Sequence, residues 1–86
     1  MSEICKFYGI RIVMFFNDHN PPHFHAKYGE HKAEFDIHTL RLMKGWLPPE
    51  AKILTTDWAL LHREELLDDC QLAREHKPLN PIEALE

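Results

Sequence analysis

Two runs of alternating side chains meet at Gly29-Glu30. On the first arm Phe24, Ala26 and Tyr28 alternate with His23, His25 and Lys27; on the second, Ala33, Phe35 and Ile37 alternate with Lys32, Glu34 and Asp36. A period of two marks a half-buried strand, and a glycine-first dipeptide fits a two-residue hairpin turn. The turn sets the register: Tyr28 opposite His31, Lys27 opposite Lys32, Ala26 opposite Ala33, His25 opposite Glu34, Phe24 opposite Phe35 and His23 opposite Asp36. A slip of one residue would carry every apolar side chain to the wrong face.

Strands extend this hairpin on both sides. Residues 10–16 form the clearest one, with Ile10, Ile12, Met14 and Phe16 on one face and Arg11, Val13, Phe15 and Asn17 on the other. Gly9 suggests a bend from an earlier short strand around residues 4–8. Asn17-Asp18-His19-Asn20-Pro21-Pro22 is a loop, because two prolines cannot continue a ladder. A further strand over residues 40–44 ends at Gly45. Pro48-Pro49-Glu50 opens a helical half, since proline is tolerated in a first turn and a carboxylate favours its positive end. Ala51, Leu54, Trp58 and Leu61 lie on one stripe; Leu66, Cys70 and Ala73 lie on another, rotated about the axis. One straight helix cannot bury both, so a break is expected near His62-Arg63. Ile53, Leu60 and Leu67 make a third stripe, either a helix–helix contact or a partner surface. In the tail, Leu79, Ile82 and Leu85 recur at every third place, which fits an extended docking segment or a frayed terminus. The expected fold is a single α+β domain over residues 1–86. A three- to four-stranded antiparallel meander fills residues 1–47, two helices over 48–76 pack on its Phe24/Ala26/Phe35/Ile37 face, and 77–86 form an extended tail.

Charge divides the chain. Residues 1–47 carry six Lys/Arg against five Asp/Glu, and residues 48–86 carry four against nine. An acidic helical half opposes direct binding of nucleic acid, which needs clustered cations. The two cysteines, Cys5 and Cys70, are too far apart in sequence to read as a paired-thiolate metal site, and buried free thiols are the plain expectation. The longest apolar run, residues 12–16, is too short to span a bilayer. With no targeting segment visible, a soluble, cytoplasmic protein is expected.

Five of seven histidines fall between residues 19 and 38, and His19, His23 and His25 form H-x-x-x-H-x-H. His23 and His25 share a strand face, and His19 sits in the loop just before it, able to fold over that face. Asp18 adjoins the group, and the hairpin sets Glu34 and Asp36 across from the strand histidines. Imidazoles with neighbouring carboxylates suit a divalent ion such as Zn²⁺ or Mn²⁺. In that reading His19, His23 and His25 are ligands, and Asp18, Glu34 or Asp36 serves as base or orienting partner. The same groups also fit a metal-free acid/base pair or a solvated sheet face of cross-strand pairs. No other cofactor motif is present, and the three glycines are isolated.

The stretches Phe7-Tyr8-Gly9-Ile10, Phe16-Asn17-Asp18-His19-Asn20-Pro21-Pro22-His23-Phe24-His25-Ala26, and Trp58-Ala59 with His62-Arg63-Glu64-Glu65-Leu66 resemble a small bacterial family known as domain of unknown function 4160. The resemblance covers nearly the whole chain, and D-H-N-P-P-H-F-H is its most distinctive string. It implies a toxin–antitoxin-like gene pair and hence a small protein partner or a homodimer. It also implies a glycine near position 40, where this chain has Leu40. Two functions stay open: an interaction module acting with a protein partner, and a metal-dependent hydrolase or nuclease using His19, His23 and His25. Converging imidazoles would favour the second, an exposed apolar patch the first.

Overall fold

The computed structural model describes residues 2–16 and 20–86. Strands β1 (Ser2–Phe7), β2 (Ile10–Met14), β3 (His23–Tyr28), β4 (His31–Asp36) and β5 (Leu42–Gly45) precede helices α1 (Pro49–Leu61) and α2 (Arg63–Arg74). The strands form one antiparallel sheet in chain order. The β3–β4 register is the one the alternation dictates, from Tyr28 opposite His31 to His23 opposite Asp36.

The sheet has five strands, where the sequence supports three or four, because both flanking segments pair. Each does so through an irregularity. A bulge between Glu3 and Cys5 lets Ile4 and Cys5 both reach the core. A second shift, between Glu34 and Phe35, sets the register of β5. Gly45 closes that edge: its φ is +83°, and a Cβ there would lie 2.0 Å from the Lys32 carbonyl oxygen. Leu40 occupies the turn before β5 with φ +60°. A left-handed leucine costs about 1–2 kcal/mol, offset here by packing of its side chain against the core.

The helices cover the face made by Ile12, Phe24, Ala26, Ala33, Phe35 and Ile37, all buried. Trp58 is the keystone. Its ring lies 5.4 Å from Phe7 and 6.0 Å from Phe24, centroid to centroid. The expected break falls at His62, whose φ of −122° and ψ of 24° are non-helical. The break turns Leu66 and Ala73 inward. Leu61, assigned by its spacing to the core stripe, is instead 70% exposed, since it lies in the last turn before the break. The third stripe divides too: Leu67 packs against the core, while Ile53 and Leu60 face solvent. Among the described residues no helix is long and apolar enough to cross a membrane.

The tail docks on its own domain rather than offering a strip to a partner. Ile82 is buried, and Leu79 and Leu85 pack against the core. The Ile82 N–H donates to the Ile4 carbonyl at 2.8 Å, and the Trp58 indole N–H to the Glu83 carbonyl at 2.8 Å. Asp69, 1% exposed, accepts the Asn80 N–H on Oδ1 at 2.8 Å. Its Oδ2 is buried with no hydrogen-bond partner among the described residues. Burial pushes this carboxyl above its ordinary pKa, aided by Asp68 and Glu65. The folded state therefore holds this proton more tightly than the unfolded chain does. The associated stability is fully present below the ordinary carboxylate pKa and is lost as pH rises through the raised one. Asp69→Asn keeps the acceptor for Asn80 and removes the charge. Urea denaturation between pH 4 and pH 7.5 is expected to show the variant gaining stability relative to the parent as pH rises. A constant difference across that range would contradict this account.

Candidate metal centre on the open sheet face

The helices cover one face of the sheet and leave the other open except around Val13 and His23, which are buried; strand alternation decides what stands on each. Val13, His25, Glu34 and Lys44 are aligned across four adjacent strands on the open side. His23 stands two residues from His25 on the same face. One donor atom from each of His23, His25 and Glu34 lies within 4.8 Å of the others. The His23 and His25 ring centroids are 5.1 Å apart, and His23 Nε2 is 3.6 Å from Glu34 Oε1. Donor atoms about 2.1 Å from a tetrahedral ion stand about 3.4 Å apart, close to the 3.6 Å between His23 Nε2 and Glu34 Oε1.

The surroundings fix the rings. His23 is buried, and its Nδ1 lies 2.8 Å from the Pro21 carbonyl oxygen. A carbonyl can only accept, so Nδ1 carries the proton and Nε2 is the nitrogen turned toward Glu34. A ligating histidine is commonly oriented in this way by a backbone carbonyl on its other nitrogen. His25 meets the Phe15 ring edge-on at 4.4 Å. The Arg74 side chain bonds Asn20, tying α2 to the segment that leads into β3.

Of the residues singled out from sequence, His23, His25 and Glu34 come together. Asp18 and His19 lie outside the described residues. Asp36 pairs with His23 in register, yet its Oδ1 accepts the N–H groups of His38 at 2.7 Å and Thr39 at 2.9 Å. The Thr39 bond holds the Asp36 carboxyl below its ordinary pKa, with His38 contributing. Asp36 thus serves the turn after β4, which leaves Glu34 as the carboxylate of the cluster.

Spacing in the sequence did not mark Lys32 and Lys44. They line a 320 Å³ depression with His25, Ala33, Glu34 and Gly45. Lys44 comes opposite Glu34 only through the shifted β4–β5 register, which no local pattern encodes.

The architecture is that of a small α+β domain whose open sheet face carries a histidine–carboxylate cluster. Residues 9–70 match the family model described as Domain of unknown function (DUF4160), and the chain belongs to that family. No curated protein and no solved structure gives a match.

Proposed function

We propose that this domain is a divalent-metal-dependent hydrolase, with His23, His25 and Glu34 as the protein ligands of a single ion. The observation that carries the reading is the His23–Glu34 approach. Nδ1 donates to Pro21, so Nε2 faces a carboxylate oxygen at 3.6 Å. Two acceptor atoms so placed suit a cation held between them. The half-buried His25 adds a third donor on the same side. Two imidazoles and a carboxylate are a ligand set for catalytic Zn²⁺ that leaves a fourth position for water, and also suit other divalent ions with open sites. Such an ion, held by His23, His25 and Glu34, would lower the pKa of a bound water toward neutrality and so provide a nucleophile for hydrolysis. Lys32 and Lys44, lining the same depression, favour an anionic substrate.

Calorimetric titration of EDTA-treated protein with Zn²⁺ and Mn²⁺ tests the site. One equivalent of one of these ions is expected to bind, with affinity falling more than about 100-fold in His25→Ala/Glu34→Gln. Equal affinity in parent and variant would end the proposal.

A protein-partner reading rests on a different observation. Ile53 (58%), Leu60 (59%) and Leu61 (70%) are exposed on α1, away from the sheet, and apolar patches of this kind mark interfaces. A small partner from a toxin–antitoxin-like pair or a second copy of this chain would cover them. Sedimentation of the parent beside Leu60→Ser/Leu61→Ser tests the second copy: a dimer lost in the variant supports it, and a monomer in both excludes it.

A further inference from the structure

The outward face of α1 carries a pattern that the metal centre does not use. Ile53 and Leu60 stand seven residues apart, and Glu50, Asp57 and Glu64 recur at the same interval, interleaved with them. At 3.6 residues per turn, Glu50, Ile53, Asp57, Leu60 and Leu61 fall within an arc of about 100°. All five are exposed, while the buried residues of the helix, Ala51, Thr55, Trp58 and Ala59, face the other way. Lys52, the lysine of α1, falls outside the arc.

Beyond the break the ridge runs into a 360 Å³ depression lined by Leu60, Leu61, Glu64 and Glu65 together with His62 and Arg63. The cationic groups there are already engaged. Arg63 Nε donates to the Ile37 carbonyl at 3.1 Å, which turns its guanidinium toward the sheet, and His62 Nδ1 lies 2.6 Å from Glu65 Oε1. Among the described residues no ion pair holds Glu50, Asp57 or Glu64. Aliphatic side chains seven apart on a solvated ridge are what a second helix packs on, and charges flanking such a ridge select the partner.

We infer that this ridge docks a basic amphipathic helix of another protein. Its aliphatic side chains pack between Ile53, Leu60 and Leu61, and its Lys or Arg residues stand against Glu50, Asp57 and Glu64. The reach fits: Ile53 to Leu60 is about 10.5 Å along the axis, the repeat at which a helix presents successive apolar residues of one seam. Charge decides against a second copy, since a twofold contact lays the same face on itself and acid would oppose acid. The same acids repel a phosphate backbone or an anionic lipid surface. The inference deepens the protein-partner reading and rests on it, independently of the metal centre.

The test is fluorescence anisotropy of a labelled three-heptad helical peptide with leucine on one face and lysine on its flanks, beside versions carrying glutamine or glutamate in place of lysine. The lysine peptide is expected to bind and the glutamate peptide to stay free. Leu60→Ser/Leu61→Ser should weaken binding by more than about ten-fold, because two aliphatic side chains leave the contact. Asp57→Asn/Glu64→Gln should weaken it about three- to ten-fold and flatten its dependence on salt. Glu3→Gln/Glu30→Gln, the same charge change on the sheet half, should stay within about two-fold of the parent. These positions are all exposed, so circular dichroism should show the fold intact in each variant. Equal binding of the lysine and glutamine peptides would overturn the basic partner and leave the apolar surface standing, so failure of the inference and failure of the partner reading are separate results. A loss in Glu3→Gln/Glu30→Gln as large as in Asp57→Asn/Glu64→Gln would reduce the effect to net charge and overturn it. Absence of binding by all three peptides would overturn both.

Discussion

Deletion of residues 78–86 is expected to leave a chain that is largely unfolded at 37 °C. Burying Ile82 contributes about 1.5–3 kcal/mol, and the partly buried Leu79 and Leu85 together contribute a similar amount. The tail also accepts the Trp58 indole N–H through the Glu83 carbonyl and donates the Asn80 N–H to Asp69. Each net hydrogen bond is worth about 0.5–1.5 kcal/mol. The loss is therefore about 4–9 kcal/mol. A domain of this length has a total stability of about 4–13 kcal/mol. Thermal melts followed by circular dichroism should show the midpoint falling by more than about 15 °C, with exposed Trp58 seen in fluorescence. A truncated chain within about 1 kcal/mol of the parent would mean that the tail only rests on the surface. Ile82→Ala, which keeps the backbone bonds, should lose about 2–4 kcal/mol and separates packing from hydrogen bonding.

The tail also shows where the sequence stops being legible. Leu79, Ile82 and Leu85 recur with a period of three, which belongs to neither strand nor helix. Their seat exists only once α1, α2 and the β1 edge have assembled. The β3–β4 hairpin is the opposite case: both arms alternate and the turn is two residues long, so local pattern alone fixes the register. The break at His62 was legible because two apolar stripes point in different directions, but Leu61 was misplaced because periodicity cannot say which residue of the last turn loses its cover. β5 needed two facts that no pattern carries, a left-handed Leu40 and a Gly45 pressed against the Lys32 carbonyl.

The site divides along the same line. His23 and His25 follow from alternation, and both carboxylates opposite them follow from register. The choice between the two does not, because it depends on the turn after β4. That turn has two N–H groups to satisfy, and Asp36, at its start, is the shorter side chain and within reach of both. Glu34, in mid-strand, has no such claim on it.

Saturating metal is expected to raise the melting temperature of EDTA-treated protein by about 10–20 °C at pH 7.5. Ligand present at 100 times its dissociation constant stabilises a native state by about 2.7 kcal/mol, and each kcal/mol moves the midpoint of a domain this size by about 4–8 °C. The rise belongs to the cluster only if it vanishes in His25→Ala/Glu34→Gln, because other histidines on the surface, such as His31, His38 and His76, also attract metal. Acid should erode it. The ion needs the lone pairs of two imidazoles and of Glu34, so binding releases protons and weakens as pH falls from 7.5 to 5.5. Scanning calorimetry at pH 5.5, 6.5 and 7.5, with and without metal, reads both effects. A metal-induced rise that grows with pH and is absent from the variant assigns the His23–Glu34 approach to an ion. A melting temperature that Zn²⁺ and Mn²⁺ leave unchanged in parent and variant alike ends that assignment.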